Sequence, residues 1–96
     1  MRALTRVKVV DSGTNEPLVG LAISLTASEE CRPPFCTDYF AQGATNALGN
    51  FYYSKVEVLK RRGPLPAPEP KIWVYAQGYT PVLITLYDKQ VALTKQ

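Results

Sequence analysis

Residues 45–53 read Thr45-Asn46-Ala47-Leu48-Gly49-Asn50-Phe51-Tyr52-Tyr53, and this stretch decides the fold. Asn46 and Asn50 tolerate turn and left-handed conformations, and Gly49 adopts a positive φ at no steric cost. Because an aromatic run follows at once, the stretch predicts a tight turn that leads into a strand. Alternation along that strand places Phe51 and Tyr53 on one face and Tyr52 on the other.

A second informative stretch lies upstream, where residues 11–17 are dense in turn-forming residues and an alternating segment follows them. Residues 19–27 predict a strand in which apolar side chains share one face and small or polar side chains share the other. The apolar face consists of Val19, Leu21, Ile23 and Leu25.

The remaining strands follow from short apolar runs between turn signals. They are predicted at residues 3–10, 39–45, 72–76, 82–87 and 91–94, with residues 56–59 extending or following the aromatic strand. Gly43 predicts a bulge in the strand at 39–45. No segment of useful length has a helical period, so the chain predicts an all-β fold, a seven-stranded Greek-key β-sandwich in a single domain over residues 1–96.

Residues 60–70 interrupt this pattern. Proline stands at every second position from Pro64 to Pro70, which disfavours a helix and favours extended polyproline II. The spacing is Pro-x-Pro, whereas ligands of aromatic grooves are usually spaced Pro-x-x-Pro. A rigid connection between two strands is therefore favoured over a recognition motif.

The composition excludes several classes of function. The chain has 46% hydrophobic and 20% charged residues, which is typical of a globular protein, and no window approaches the ~18 apolar residues of a membrane span. Charged residues soon follow Arg2, so no signal peptide is predicted within these residues. We expect either an excised exported domain or a complete protein that stays where it is made, which would be cytoplasmic if Met1 is the native start.

The chain has no histidine, which removes the commonest general base and the commonest metal ligand. The acidic residues lie mostly in predicted turns and form no recognisable pair. We therefore predict that the protein is not an enzyme, with no catalytic residue, no metal site and no cofactor.

Cys31 and Cys36 enclose a short loop that Pro33 and Pro34 stiffen. A disulfide is favoured, and it would indicate an oxidising compartment. Two free thiols are the alternative. A zinc site or a redox pair is disfavoured, because two cysteines without histidine do not complete a zinc site and Cys-x2-Cys spacing is absent.

Basic residues cluster in the second half of the chain, although the net charge is only +3. Such a patch attracts nucleic acid or anionic surfaces when it is large. The short cluster here is better explained as a solvated loop, so nucleic acid is not the expected partner. Its members are Lys60, Arg61, Arg62 and Lys71.

The aromatic residues give the clearest candidate binding surface. If Ile72, Val74 and Ala76 point into the core, Trp73 and Tyr75 point outward. Exposed aromatics can stack on sugar rings or anchor a protein partner; the alternative is that the proline segment or a neighbouring subunit covers them. Tyr52 and Tyr87 are the further candidates for this surface.

With these residues in place, the chain resembles the carboxypeptidase regulatory-like family, whose members are transthyretin-like (prealbumin-like) β-sandwiches. The family motifs appear in order across most of the chain: a first strand at residues 7–11, Pro-Leu-x-Gly at 17–20, the Thr45–Phe51 turn with Thr45, Asn46, Gly49 and Phe51, and Gly-Tyr at 78–79. Asn46 replaces the usual Asp, and residues 60–70 replace a short link.

The resemblance implies a non-catalytic structural or protein-interaction accessory module. The related hydroxyisourate hydrolases and intradiol dioxygenases use histidines that this chain lacks, and the last strand offers no Asn or Asp for the isopeptide bond of Cna-B-type sandwiches. We expect an extracellular, periplasmic or cell-surface location, with a protein partner or the other domains of a parent protein. A carbohydrate- or small-ligand-binding module that uses the exposed aromatics is the alternative.

Overall fold

Seven strands and one helix form in the part of the chain that the computed structural model describes, residues 4–62 and 70–96. They are β1 (Thr5–Asp11), β2 (Ala22–Thr26), β3 (Tyr39–Ala44), β4 (Asn50–Tyr53), α1 (Lys55–Arg62), β5 (Lys71–Tyr75), β6 (Val82–Thr85) and β7 (Gln90–Leu93). The predicted strand count is therefore confirmed for these residues. The polyproline prediction for Pro64–Pro70 lies outside the described residues, except at Pro70.

The strands form two sheets, which makes the protein a small all-β sandwich with one short helix. The three-stranded sheet has the order β4-β1-β7, and the four-stranded sheet has the order β3-β2-β5-β6. All neighbouring strands are antiparallel except β1 and β7, which run parallel with Val9 opposite Val91.

The core lies between the sheets and follows the period-2 alternation of the sequence. Phe51 and Tyr53 are buried whereas Tyr52 is exposed, so the predicted facing of β4 is confirmed. The inward prediction is confirmed for β5 as well, since its alternate side chains join the core with those of β1, β2 and β7. The core side chains of these strands and of the residue after β5 are Val7, Val9, Ile23, Leu25, Ile72, Val74, Ala76, Val91 and Leu93.

The apolar face predicted for residues 19–27 is only partly realised. Ile23 and Leu25 are buried and Leu21 packs against the core, but Val19 is exposed. Val19 lies outside the strand, because Gly20 has a φ of 68° and turns the chain before β2 begins at Ala22.

The extension of β4 through residues 56–59 was a wrong prediction, since these residues belong to α1. Ser54 caps the helix: its Oγ accepts a hydrogen bond from the Glu57 N–H at 3.4 Å. Val58 is fully buried, whereas Val56 is exposed. The helix therefore closes one part of the core with a single apolar side chain.

The bulge was predicted at the wrong residue. Gly43 pairs regularly with Ile23, and the register shift lies at Leu25 and Thr26. A Cβ on Gly43 would lie 3.3 Å from Cε1 of Phe51. The glycine thus makes room for the Phe51 ring between the sheets instead of interrupting the strand.

The Gly78-Tyr79 turn fastens the end of the chain to the four-stranded sheet. The Gln96 N–H donates to the Gly78 carbonyl at 2.8 Å, and Tyr79 bridges Lys95. Gly78 adopts a φ of 88°, which explains why a glycine stands there. In the described residues, no helix has the length and apolarity needed to cross a membrane.

Candidate functional site

The Thr45–Phe51 stretch carries the chain from β3 in one sheet to β4 in the other. The Asn46 side-chain oxygen accepts hydrogen bonds from the N–H groups of Leu48 and Asn50, both at 2.9 Å. Because an amide oxygen serves here as an acceptor, Asn at position 46 can hold the turn without a charge.

Thr45 ties this turn to the entrance of β2. Its hydroxyl donates to the Leu18 carbonyl at 2.5 Å and accepts from the Leu21 N–H at 2.9 Å. The Gly20 N–H also donates to the Thr45 carbonyl. The two motifs that stand apart in the sequence, Pro17–Gly20 and Thr45–Phe51, therefore form one hydrogen-bonded unit, which gives the turn a structural role.

Gly49 is the most constrained position in that unit. It has a φ of 80°, and a Cβ there would lie 2.7 Å from Cβ of Pro17 and 3.1 Å from the Val9 carbonyl oxygen. Its own carbonyl accepts from the Val9 N–H at 2.8 Å. Both the backbone conformation and the close approach of residues 9 and 17 require glycine.

A disulfide joins Cys31 and Cys36 in the loop between β2 and β3, as predicted. The loop is also held by the Thr26 hydroxyl, which donates to the Cys31 carbonyl at 2.6 Å. Pro33 is fully buried. Covalent, polar and apolar contacts thus fix this segment, which we call the stapled loop (residues 31–36).

Trp73, on the outer face of β5, contacts Glu29 and Arg32 in the loop between β2 and β3. Its indole N–H donates to the Glu29 carbonyl at 2.7 Å, and the Arg32 guanidinium lies 5.3 Å from the ring centroid. Lys71 forms an ion pair with Glu29 at 3.6 Å. Trp73 is therefore partly covered by the cysteine-containing loop. The proline segment, the cover considered from the sequence, lies outside the described residues except at Pro70.

Phe35 lies at the tip of the stapled loop with 93% of its side chain exposed. Phe35 was not predicted from the sequence, because the candidate aromatics were all taken from predicted strands. The signal was present: an aromatic residue directly after two prolines and between two cysteines stands on a short, stiff loop. An exposed aromatic ring on a rigid backbone can serve as an anchor for a protein partner.

Of the other predicted aromatics, only Tyr75 lies on the same surface as Trp73. Tyr75 is half-buried beside Trp73 on the four-stranded sheet, whereas Tyr52 lies on the three-stranded sheet opposite Arg6. Tyr87 follows β6 and is 70% exposed. The structure thus separates the predicted surface into two parts.

The predicted basic patch is largely neutralised by neighbouring acids. Lys60 pairs with Glu57 at 3.8 Å, and Arg61 pairs with Asp38 at 3.7 Å. Lys71 lies on β5 and pairs with Glu29, as described above. The side chain of Arg62 lies outside the described residues.

A different set of cations gathers on the outer face of the three-stranded sheet. Arg6 and Lys8 alternate with buried valines on β1, and Lys55 and Lys89 border the same face. Sequence reasoning missed this group because its members are dispersed along the chain. The alternation of Arg6 and Lys8 with Val7 and Val9 was the available signal.

Tyr53 is the buried ionisable group of the core. Its hydroxyl has no hydrogen-bond partner among the described residues. Burial, with a smaller contribution from the charge of Asp88, raises the pKa of Tyr53 to about 12. The ring packs edge-on against Phe40 at 6.3 Å between centroids, so the residue acts as core filling.

Within residues 4–62 and 70–96, no group of three or more Cys, Asp or Glu side chains is placed to hold a metal ion. No protein-family model matches the chain, and no curated protein shows significant similarity to it. Two surfaces therefore remain as candidates for binding: the stapled loop, and the outer face of the three-stranded sheet that carries Arg6 and Lys8.

Proposed function

We propose that this protein is a non-catalytic interaction module that recognises a protein partner, or a neighbouring domain of its parent protein, through the stapled loop. The observation that carries the proposal is Phe35, which stands 93% exposed on a loop fixed by a disulfide. Aromatic side chains that become buried on binding dominate the energy of many interfaces, and an exposed ring on a fixed loop can serve as such an anchor.

The anchoring of the loop supports this function energetically. A flexible loop loses conformational freedom on binding, about 0.5–1.5 kcal/mol for each immobilised side chain, whereas a preformed loop loses less. Here the Cys31–Cys36 bond, the Thr26 hydroxyl and buried Pro33 supply that order before binding. The Arg32 guanidinium over the Trp73 ring adds a contact between the stapled loop and β5.

We propose further that the sandwich is of the transthyretin-like, Greek-key type, and that the chain is a carboxypeptidase regulatory-like domain. The positions of the motifs support this assignment. The Pro17–Gly20 and Thr45–Phe51 motifs bond to each other, and Gly78-Tyr79 follows β5 and bonds to the end of the chain. The lack of histidine supports a domain without catalytic activity.

We also propose that the protein is exported or displayed on the cell surface. The disulfide supports this location, because disulfides persist mainly in oxidising compartments. The measurement is intact mass with and without reduction, after alkylation, on protein taken from its natural compartment. We expect no alkylation before reduction; two thiols that alkylate at once would contradict this location.

The interaction itself is tested by placing a photo-crosslinking phenylalanine analogue at position 35 in the producing cells. The matched control carries the analogue at Val19, which is 60% exposed but lies outside the stapled loop. We expect a discrete adduct from position 35 and none of that mass from position 19. Equal adducts from both positions, or none from position 35, would contradict the proposal.

A further inference from the structure

The outer face of the three-stranded sheet carries two open depressions of about 310 and 460 Å³ that share Arg6 and Lys89. Together they form one groove, which we call the cationic groove. Lys8 lines one of its parts and Lys55 lines the other. The volume of each depression is within the range of ordinary ligand sites.

The cations of this groove differ from those of α1 and β5 in their partners. Among the described residues, no carboxylate oxygen lies within 4.0 Å of the charged nitrogens of Arg6, Lys8, Lys55 or Lys89. The one acid that lines the groove is Asp88. Its carboxylate accepts a hydrogen bond from the Thr85 N–H at 2.9 Å and stabilises the turn after β6. The groove therefore keeps a net positive field.

The placement of Lys55 strengthens that field. It is the first residue of α1, where the positive end of the helix dipole disfavours a cation. Its ammonium group lies 5.7 Å from the centroid of the Tyr87 ring. The groove thus combines a cation with a largely exposed aromatic ring, and Tyr52, 46% exposed, lies opposite Arg6 on the neighbouring strand.

The backbone beneath the groove restricts what can bind. β1 is hydrogen-bonded to β4 on one side and to β7 on the other. β1 itself therefore offers no free edge for main-chain pairing with a peptide, and the free edges of this sheet belong to its outer strands, β4 and β7. Recognition over β1 therefore comes from side chains: cations, the amides of Asn50 and Gln90, and the ring of Tyr87.

We infer that the cationic groove binds an acidic polysaccharide, with its carboxylate or sulfate groups on Arg6, Lys8 and Lys89 and a sugar ring against Tyr87. Charge complementarity selects a polyanion, and the amides and rings suit a polyhydroxylated chain. The Cys31–Cys36 disulfide favours a compartment where nucleic acid is not the expected polyanion. The groove shares no residue with the stapled loop, and only the choice of a sugar over nucleic acid rests on the proposed location.

The test measures binding of acidic hexasaccharides by titration calorimetry at low salt. One probe is a uronic-acid hexasaccharide and the other is a sulfated glucose hexasaccharide without carboxylates, which distinguishes the two anionic groups. A neutral glucose hexasaccharide, oligothymidylate and polyglutamate of matched charge are compared. We expect binding to at least one acidic sugar, about tenfold or more tighter than to oligothymidylate or polyglutamate, and none to the neutral sugar.

Substitutions inside and outside the cationic groove test whether the sugar binds there. The Arg6→Gln/Lys8→Gln protein is expected to bind at least about tenfold more weakly, and Tyr87→Ala is expected to weaken the acidic sugar without altering the weak binding of polyglutamate. Lys60→Gln/Lys71→Gln removes the same charge from ion-paired positions and should bind normally. Equal losses in both double variants, or nucleic acid or polyglutamate binding as tightly as the sugar, would overturn the inference.

Discussion

Gly49 is the residue whose replacement should be most informative about the backbone. At position 49 a Cβ would clash with Pro17, whereas at Gly20, also at positive φ, nothing lies within 4 Å. We expect Gly49→Ala to lower the free energy of unfolding by about 3 kcal/mol and Gly20→Ala by about 1 kcal/mol. Urea unfolding measures both, and equal losses would contradict the described approach of residues 9, 17 and 49.

Tyr53 is a position where a substitution should stabilise the protein, because its buried hydroxyl has no hydrogen-bond partner among the described residues. Removing an unsatisfied buried polar group is favourable, so Tyr53→Phe should raise the free energy of unfolding at neutral pH by about 1 kcal/mol. The same urea measurement decides the outcome. A loss of stability would show that the hydroxyl has a hydrogen-bond partner.

The Tyr53 hydroxyl also predicts an alkaline limit. Its pKa is about 12 in the folded protein, above the ordinary value of 10.0. Below pH 10 both states keep the proton; as pH rises from 10 towards 12 the unfolded state loses it first, so stability falls in that window. Tyr53→Phe should show a smaller fall over the same range, and an identical fall in both proteins would contradict the raised pKa.

At the scale of elements, α1 is held by one apolar side chain. Val58→Ala should lower the free energy of unfolding by about 2 kcal/mol, since it removes buried methyl groups and leaves a cavity. Val56→Ala is the matched control on the exposed face, with an expected change within about 0.5 kcal/mol. Similar effects of the two changes would mean that the helix does not dock as described.

The strands could be predicted from the sequence because alternation and turn residues agree there. β2, β4 and β5 show a clear period of two residues, and glycines or prolines separate them. The helix could not be predicted in the same way. Val56 and Val58 have β-branched side chains typical of strands, and eight residues are too few to show a helical period. Ser54 and Glu57 have the spacing of a capping box, which was the local signal for a helix start.

At the scale of the whole molecule, a surface feature could be predicted when its residues lie close together in the sequence. Cys31 and Cys36 are close along the chain, so the sequence favoured a disulfide between them over two free thiols, and the structure shows the bond. The cationic groove unites Arg6, Lys55 and Lys89, which only the pairing of β1 with β4 and β7 brings together. A charge cluster in sequence, at residues 60–62, was a poor guide, because neighbouring acids pair with Lys60 and Arg61.

The central claim is that a preformed, disulfide-held loop presents Phe35 to a partner. The most direct measurement compares the photo-adduct formed from position 35 in the disulfide-bonded protein with that formed in the Cys31→Ser/Cys36→Ser variant, after thermal unfolding has shown that both are folded. We predict that the variant forms the same adduct at least about tenfold less well, because its loop must be ordered on binding. An equal yield of that adduct from the two folded proteins would contradict the claim.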